Sequence, residues 1–582
     1  EIIIKKANYF GVKNIDISDL EKFTANKEEE MFSWMFGRNS GAVKLEQLPY
    51  EQPRISDVYF QHGFLDSKVE KPFLKVDFSS NEAELNYFVN EGTQYKVNDL
   101  KIYVDSTIID AKTLYPELKL IKDRVFNIKK LRKDVKYIKT AVSDLGYAYT
   151  IVKYNLKKDK KSGKVDVVFN VIPGKKVYIN DVFVSGNSRT LDRVIRRYVY
   201  LAPGDLFNLT DFTDSVNKLK RSGFFESVNI SKKRISEVRM DLLVKVKEAA
   251  TGAITLGGGF GSSDGVMLSA GLNDKNVFGT GKTFGVDIDK SEDANDVSIY
   301  VREPSINDGK YSFTFDIHRT TDEIEYTSED YTLDREVTGF SVGLGTSLTR
   351  NTRIGLTYRL DQIKEEYSDD DTTDNYDPFD YKYNEDYISS SITPHITYNS
   401  TNDYYFPTSG IEAKTSLEFA GLGGDSKYLK SLTKFRYYYS LEEKYELDWV
   451  IRYKSTLSML VDNGKITQGD SFYLGGIKTL RGYDSHAFGP DSDSSDPAMK
   501  HLFANSIEMS LPFFSDKTRW GFFYDYGMIG EDGFDDINRS STGALFEWIS
   551  PMGPMQFVFA HAIDAEDGDD TSSFEFALGQ RF

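Results

Sequence analysis

The residue pattern changes near residue 250, and this change constrains the fold more than any other feature of the chain. From there to the end, apolar and polar residues alternate with a period of two, as in VMLSAGL, SFTFDIH and SFEFALGQRF. Such alternation predicts β-strands with one apolar face and one polar face. Counting the segments gives about sixteen strands, an even number that is typical of a closed antiparallel barrel in a membrane.

The final segment illustrates how the two faces of the predicted barrel are assigned. The side chains expected to face lipid are apolar, whereas those expected to face the lumen are mostly polar or small: Phe574, Phe576, Leu578 and Phe582 in the first set, and Glu575, Ala577 and Arg581 in the second. Closure of the barrel is expected because every backbone group of a membrane-spanning strand needs a partner. The mean hydropathy of −0.45 is compatible with a barrel, whose signal in each strand is weak.

Helical membrane segments are not expected. No run of about 18 apolar residues occurs, which is the length that a transmembrane helix requires. Glu1 is followed directly by the strand-like IIIKK. We therefore expect that any signal peptide has been removed.

The two parts of the chain differ in charge. Residues 1–250 contain 44 Lys and Arg against 34 Asp and Glu, whereas the remaining residues contain 28 against 56. The cations of the first part are spread over periodic segments and form no basic stripe, so no nucleic-acid partner is expected. The acidic residues of the second part concentrate between strands, and we interpret these segments as solvated surface loops. They are SEDYTLDRE, SDDDTTDNYDPFD, DSDSSD, EDGFDD and DAEDGDD.

The chemistry of a catalytic or metal centre is not indicated. Cysteine is absent, and the six histidines are scattered along the chain. Neither thiolate ligands nor a pair of histidines at metal-ligand spacing is therefore present in the sequence. We expect no cofactor, no metal site and no enzymatic turnover.

The first 250 residues contain an internal repeat. Three units of roughly 70 to 90 residues each read as strand, helix, helix, strand and strand. The predicted domain boundaries are 1–92, 93–175 and 176–249 for the repeats and 250–582 for the barrel. The predicted helices include LYPELKL at 114–120 in the second repeat and RTLDRVIRRYVY at 189–200 in the third. The expected fold class is thus three β-α-α-β-β repeats of α+β type followed by a barrel.

The third repeat resembles a known module. FVSGN, KLKRSGFFESV at 218–228 and VKVKE are similar to segments of the periplasmic polypeptide-transport-associated module. By this resemblance, Glu226 matches a carboxylate that contacts a lipoprotein partner. A plain solvated turn residue is the alternative interpretation of Glu226. Modules of this kind have open sheet edges, which accept an added strand from another chain.

One segment of the barrel half does not alternate. GDSFYLGGIKTLRGY, at 469–483, contains Gly475, Gly476 and Gly482. Glycine at this density fits neither a strand nor a helix, because it costs too much conformational entropy in either. We therefore predict a long ordered loop.

This loop and three other motifs resemble the family of outer-membrane assembly and translocation barrels. The motifs are LGGIKTLRGYDSHAFGP, FPTSG at 406–410, FFYDYG at 522–527 and SPMGPMQFVFA at 550–560. The resemblance covers essentially the whole chain, and the order and spacing are most similar to the family's insertase member. It implies an outer-membrane location in a Gram-negative bacterium, with the repeats in the periplasm. It also implies several partners: unfolded barrel clients, periplasmic chaperones, assembly lipoproteins, and outer-membrane lipid with lipopolysaccharide.

The resemblance further implies the position of the loop and the residues of its motif. It implies that residues 469–500 fold into the lumen and that Leu480, Arg481, Gly482 and Tyr483 form the family's loop motif. A buried arginine is costly without a carboxylate partner. Asp525 and Glu508 are the matching positions, and strand alternation allows both to point inward.

The resemblance also implies that the working site is a lateral seam between the first and last strands, and the glycines of these strands agree with it. Gly257, Gly258 and Gly259 weaken the first strand, and Gly579 permits a kink in the last strand, which ends at Phe582. A weak seam can open and offer its edge to the terminal strand of a client. The chain is thus predicted to insert unfolded clients into the outer membrane through this seam.

Three alternatives remain open. The insertase member usually carries five modules, so two further modules are expected before Glu1 if the chain corresponds to it. Otherwise the chain corresponds to the translocation and assembly member, which has three modules and serves autotransporters. A two-partner secretion transporter usually has two modules and a plug helix. A passive porin has no need of modules.

Overall fold

The computed structural model describes most of the chain. The described residues are 2–29, 40–261, 265–326, 331–369, 385–403, 406–445, 447–489, 499–513, 515–550 and 553–578. They form two compact units. The first comprises residues 1–186, 198–222 and 227–246, and the second comprises 187–197, 223–226 and 247–582. Within the described ranges, no helix has the length and apolarity that crossing a membrane requires.

The N-terminal part consists of three small α+β repeats. The first contains β1 Ile3–Phe10, α1 Ile17–Glu21, α2 Leu48–Gln61, β2 Lys68–Val69, β3 Phe73–Asp77 and β4 Glu82–Asn90. The second contains β5 Lys96–Tyr103, α3 Ile128–Ser143, β6 Ile151–Asp159 and β7 Lys164–Ile172. The third contains β8 Tyr178–Ser185, α4 Asp192–Arg196, α5 Leu209–Arg221, β9 Phe225–Arg234 and β10 Arg239–Glu248.

The three sheets share one topology. Their strand orders are β1-β4-β2 with β3 also on β4, β5-β7-β6, and β8-β10-β9. In each sheet, the first strand pairs in parallel with the last strand of the repeat. The helices cover one face of the sheet, and the apolar stripe of each helix packs on it. In the second repeat, for example, Leu131 and Ile138 of α3 join Val167 and Phe169 of β7 in a fully buried core.

Local signals in the sequence explain where the two long helices of the second and third repeats begin. Asn127 accepts hydrogen bonds from the backbone N–H groups of Lys129 and Lys130, and Asn208 accepts one from Asp211. Asparagine at this position satisfies N–H groups that have no partner within the helix. The amphipathic pattern then sets which side of each helix is buried.

Two of the predicted helices are wrong. LYPELKL contains a single short 3₁₀ turn, Tyr115–Glu117, and another such turn, Ala111–Thr113, lies directly before it. So short a segment, with a proline in it, cannot sustain an α-helix. The segment at 189–200 is helical only over Asp192–Arg196. Its first residues are held by the second unit instead, since Leu191 N–H donates to Gly279 O at 3.0 Å.

The remaining strands form a closed antiparallel barrel of β11 to β26. They are β11 Gly252–Gly261, β12 Gly265–Val277, β13 Lys282–Lys290, β14 Ala294–Glu303, β15 Tyr311–Tyr326, β16 Tyr331–Ser347, β17 Thr352–Asp369, β18 Glu385–Asn399, β19 Gly410–Gly424, β20 Lys427–Ser440, β21 Val450–Lys465, β22 His501–Phe513, β23 Ser515–Gly530, β24 Ile537–Ser550, β25 Gly553–Ala562 and β26 Phe574–Leu578. A short helix, α6 Glu442–Tyr445, connects β20 and β21. This architecture confirms the predicted fold class.

Burial alternates along the barrel strands as the period of two requires. On β22, Ala504, Ser506 and Glu508 are buried, whereas Ile507 is exposed. On β26, Glu575 and Ala577 are buried and Phe574 is exposed. Of the residues named for the last segment, Arg581 and Phe582 lie outside the described residues. The buried set of each strand faces the inside of the barrel, where the loop between β21 and β22 lies.

Candidate functional site

The loop between β21 and β22 forms a compact strap inside the barrel. We call residues 467–488 the strap. Its last residue, Phe488, folds back on Leu474, and the two exchange backbone hydrogen bonds of 3.0 and 2.8 Å. Leu474, Leu480, Tyr483 and Phe488 are buried in a shared apolar cluster with residues of the barrel wall. The strap is thus a packed element with its own core.

Arg481 connects the strap to the wall. Its Nε and Nη2 donate to the two carboxylate oxygens of Asp525 at 2.7 and 2.6 Å. Its Nη1 donates to Glu508 at 2.8 Å and its Nη2 to Ser506 at 2.7 Å. The guanidinium also lies 3.6 Å from the centre of the Phe523 ring. This planar fork with several charge-assisted bonds is the geometry for which arginine, and not lysine, is suited.

The carboxylates around Arg481 belong to a larger ion network. Lys454 Nζ lies 3.0 Å from Glu508, and Arg452 Nη1 lies 3.7 Å from Glu508. Arg452 also donates from Nη1 to both oxygens of Glu547, at 2.7 and 2.9 Å. The network therefore alternates cations and carboxylates across β21, β22, β23 and β24.

The other residues of the loop motif fix the position of Arg481. Gly482 has a φ of +89°, and a Cβ there would lie 3.2 Å from Ser541 Cβ and 3.3 Å from Ala560 Cβ. Both the backbone conformation and the close wall favour glycine at this position. Tyr483 is fully buried, and its hydroxyl donates to Asp564 at 3.2 Å.

The strap also holds the last strand and the segment before it. Gly482 N–H donates to the Oε1 of Glu575, in β26, at 2.8 Å. Ser572 N–H donates to Gly482 O, and Asp484 N–H donates to Asp570 O, both at 3.1 Å. The first bond joins the motif directly to the last strand, and the other two join the strap to the segment before that strand.

A second ionic anchor lies at the beginning of the strap. Arg335, in β16, places Nη2 3.4 Å from Asp470 and Nε 3.0 Å from Glu365, in β17. Lys430, in β20, donates to the backbone oxygen of Asp470 at 2.9 Å. Thr467 donates to Glu365 at 3.1 Å. Because Asp470 contacts β16 and β20 while Gly482 contacts β26, the strap spans the lumen.

Among the described residues, the pairing between β11 and β26 is the shortest in the barrel. In the described residues it consists of Phe260 with Leu578 and Gly261 with Ala577, whereas β15 and β16 pair over Tyr311–Tyr326. The rings of Phe260 and Phe576 add a contact at 6.0 Å between centroids. We call this strand pair the seam.

The glycines predicted for the seam have different surroundings. A Cβ at Gly259 would lie 2.5 Å from Leu578 O, so only glycine permits the observed approach of the two strands. A Cβ at Gly257 would lie 2.3 Å from Ser269 Oγ, within the β11–β12 pair, and one at Gly258 would meet nothing within 3.6 Å. Gly579 and Phe582, the two other residues named for the seam, lie outside the described residues.

Two carboxylates mark the junction between the third repeat and the barrel strands. Glu226 is exposed and forms an ion pair with Lys247 at 2.7 Å. Glu248 accepts hydrogen bonds from the N–H groups of Ser188, at 3.0 Å, and Thr190, at 2.6 Å. Partial burial alone raises the pKa of Glu248, but these hydrogen bonds outweigh burial and lower the pKa to about 2.

Sequence reasoning missed several residues of this site. The missed residues are charged and lie at inward-facing positions or in the strap: Arg452, Lys454, Glu547 and Asp470. Glu575 was predicted to face the lumen, but its bond to the strap was not. Ionisable side chains at inward positions of alternating strands were the signal that was available. Within the described ranges, no group of three or more His, Asp and Glu side chains is placed to hold a metal ion.

Comparisons with known proteins agree with this architecture. The model of the Omp85 superfamily domain matches residues 276–582. The model of the surface antigen variable number repeat, also called POTRA, matches residues 95–174 and 177–249. The polypeptide-transport-associated modules inferred from the sequence are confirmed for these two ranges.

Two of the similar proteins carry the same description. The "Outer membrane protein assembly factor BamA" of Nitratidesulfovibrio vulgaris is 29% identical and aligns with 100% of this chain and 74% of its own length. The protein of the same description from Neorickettsia risticii is 26% identical over 100% of this chain and 79% of its own length. The crystal structure of BamA from Haemophilus ducreyi lacking POTRA domains 1–3 has the same fold, with a TM-score of 0.58 and 24% identity over 83% of this chain and 99% of that chain. Since the family model covers more than half of the residues, this chain belongs to the Omp85 superfamily.

Proposed function

We propose that this chain is an insertase of the outer membrane. Unfolded barrel proteins are received in the periplasm by the modules at 1–92, 93–175 and 176–249. They are then assembled into the membrane at the seam of the barrel formed by residues 250–582. The description of the relatives as outer membrane protein assembly factors supports this assignment.

The short seam is the observation that carries the proposal. A closed barrel gains stability from the pairing of every strand with two neighbours, because unpaired backbone groups are costly in lipid. Two residue pairs join β11 to β26 in the described residues. Over this part of the chain, opening the β11–β26 pair therefore breaks far fewer hydrogen bonds than opening any of the long pairs. The freed edge of β11 can pair with the terminal strand of a client by strand addition.

The strap compensates for the weak seam. Its bonds to Glu575, Ser572 and Asp570 hold the last strand and the segment before it. Its anchors at Arg481 and Asp470 connect it to distant parts of the wall. The barrel can thus keep its shape while the strand pair of the seam separates. Arg481 is a structural residue in this mechanism and takes part in no chemical reaction.

The N-terminal modules supply the partner surfaces. Open sheet edges of the modules bind unfolded clients and periplasmic chaperones by strand addition. Glu226 contacts an assembly lipoprotein; its side chain is 61% exposed and so remains accessible beside Lys247. Lipid and lipopolysaccharide surround the barrel.

Reconstitution tests the insertase activity. The chain is incorporated into liposomes with its partner lipoproteins, and the folding rate of a urea-denatured outer-membrane barrel is measured by its shift in electrophoretic mobility. We expect faster folding than in liposomes without the chain. Equal rates in the two preparations would refute the insertase assignment.

A crosslink tests whether the seam has to open. The chain contains no cysteine, so Phe260→Cys with Leu578→Cys, which are paired in register, can be joined by a short thiol-specific reagent. The matched control joins Val286→Cys with Ile299→Cys across β13 and β14. We expect the seam crosslink to stop insertion and the control crosslink to have little effect. Full activity of the crosslinked seam would exclude lateral opening.

A further inference from the structure

A cavity of about 320 Å³ lies inside the barrel next to Arg481. Its wall is formed by the strap and by several strands between β20 and β26. Besides Arg481 and its partner Asp525, the charged side chains of the wall are all cations: Lys434, Arg436, Lys454 and Lys478. The other polar side chains of the wall are uncharged, and they include Thr456, Thr479, Asn505 and Gln556. Together with Lys414, beside Lys434, we call these five lysine and arginine residues the basic cluster.

The register of the strands places like charges opposite each other. Lys414 of β19 is directly opposite Lys434 of β20. Arg436 of β20 is directly opposite Lys454 of β21. Side chains opposite each other in an antiparallel pair are only about 5 Å apart at Cβ, and like charges there are destabilising. Two such pairs side by side therefore lower the stability of the folded barrel, and side-chain packing alone does not require them.

Carboxylates neutralise only part of this charge. Arg436 lies 3.6 Å from Glu412, and Lys454 shares Glu508 with Arg481. Within the described ranges, Lys414 and Lys434 form no ion pair. This excess of positive charge occurs in a barrel half with 28 Lys and Arg against 56 Asp and Glu, so it is not a reflection of overall composition.

The basic cluster faces the end of the barrel at which β20 ends and β21 begins. Lys434 and Arg436 precede the end of β20 at Ser440, and Lys454 follows the start of β21 at Val450. Connections alternate between the two ends of an antiparallel barrel, so this end also contains the connection between β12 and β13. Leu191 of the third repeat binds that connection. The cluster therefore lies between the strap and the end of the barrel at which Leu191 binds.

We propose that the basic cluster binds acidic polypeptide segments of clients, a role that rests on the insertase function proposed above. The segments are of the kind that this chain has between its own barrel strands, such as DAEDGDD at 564–570. Loops of this type are hydrophilic and have to be kept out of lipid while a client is assembled. Positive charge inside a cavity with low-dielectric walls concentrates anionic segments.

The cavity favours a polypeptide over a lipid. Its wall is polar and its volume is about 320 Å³, whereas the acyl chains of a lipid need an extended apolar surface. A flexible acidic loop can place one carboxylate near each cation without burying apolar area. Binding through exposed charges is weak and is screened by salt, which allows the segment to leave when assembly is complete.

Peptide binding tests the proposal on the full chain in detergent. A fluorescent peptide with the sequence of residues 563–573 is compared with one in which each Asp and Glu is replaced by Asn or Gln. We expect anisotropy to report binding of the acidic peptide only, with affinity falling steeply as salt rises. Lys414→Gln with Lys434→Gln should reduce this affinity about tenfold or more, whereas Lys153→Gln with Lys157→Gln in the second repeat should not change it.

Three outcomes would overturn the proposal. In the first, the acidic peptide does not bind. In the second, it binds equally to the Lys414→Gln/Lys434→Gln variant. In the third, a short-chain anionic lipid binds with the same dependence on the two lysines and displaces the peptide. Thermal unfolding of the variant provides a separate measure, because removal of opposed charges should leave the barrel at least as stable as before.

A folding assay separates this proposal from the insertase assignment. Two versions of one urea-denatured client are compared, one with acidic loops and one with the same loops neutralised. If the unaltered chain accelerates neither client, the insertase assignment fails, whatever the peptide result. If it accelerates both equally, and the variant does the same, the insertase assignment stands and the role of the basic cluster fails.

Discussion

Arg481 illustrates how a single side chain is fixed by its surroundings. It is 4% exposed and faces Asp525 and Glu508, which are 1% and 2% exposed. Removing one partner of such a buried group leaves the other partners charged and uncompensated. The stability lost in this way is far greater than the net stability that the intact pair contributes. The motif and the family resemblance were sufficient to name these three residues. They did not identify Arg452, Lys454 or Glu547, because neither a motif nor alternation states which inward positions of different strands come together.

Replacement of Arg481 should therefore destabilise the barrel strongly. We expect Arg481→Ala to lower the free energy of unfolding by about 3–5 kcal/mol and Arg481→Lys to lower it less, since lysine retains the charge but not the fork. Heat-dependent electrophoretic mobility in detergent measures the effect. Adding Asp525→Asn to Arg481→Ala should recover part of the loss, and a simple sum of the two single effects would contradict the ion network.

Glu248 should give the junction of the third repeat a dependence on pH. Its pKa is about 2 in the folded chain and about 4.3 in an unfolded one. The stability that its hydrogen bonds contribute is therefore fully present above the pKa of the unfolded chain and is lost as pH falls through the pKa of the folded chain. We expect protection of the Ser188–Thr190 amides against hydrogen exchange to decline from about pH 5 to about pH 2. Glu248→Gln should remove most of this dependence, whereas Glu226→Gln should preserve it.

At the scale of elements, the strap and the seam depend on each other. The seam is short, and the last strand receives additional bonds from the strap through Glu575. Gly259 sets how closely the two edges approach, because a Cβ there would lie 2.5 Å from Leu578 O. The sequence indicated a weak first strand from its glycines, but it did not distinguish Gly259 from Gly258. That difference exists only once β26 lies against β11.

The seam should be sensitive to one methyl group. We expect Gly259→Ala to push β26 away and to lower the yield of the crosslink between Phe260→Cys and Leu578→Cys. Gly258→Ala serves as the control, since nothing lies within 3.6 Å of a Cβ at that position. Equal crosslinking yields in the two backgrounds would show that the close approach does not determine seam closure.

At the scale of the whole molecule, the proposed function assigns client capture and client insertion to separate parts of the chain. The modules have their own cores, such as the one formed by Leu131 and Val167, and the strap has another with Leu480 and Tyr483. A change inside the barrel therefore leaves the module surfaces unaltered.

We accordingly expect Arg481→Ala to impair insertion while unfolded clients still bind to the modules. Photo-crosslinking of a client to positions in β6, together with the folding assay, measures both steps in one preparation. Loss of module binding with intact insertion would contradict this division.

The sequence by itself determined the repeats, the barrel and the presence of an unusual loop. These features follow from local rules, since strand alternation, helix capping and glycine content depend on residues that are close together in the sequence. Only the tertiary structure decided that Asp470 anchors the strap, that Glu575 receives the Gly482 N–H, and that Lys414 lies opposite Lys434. Each of these contacts joins residues far apart in the chain, so it depends on strand register and on the path of the loop through the closed barrel.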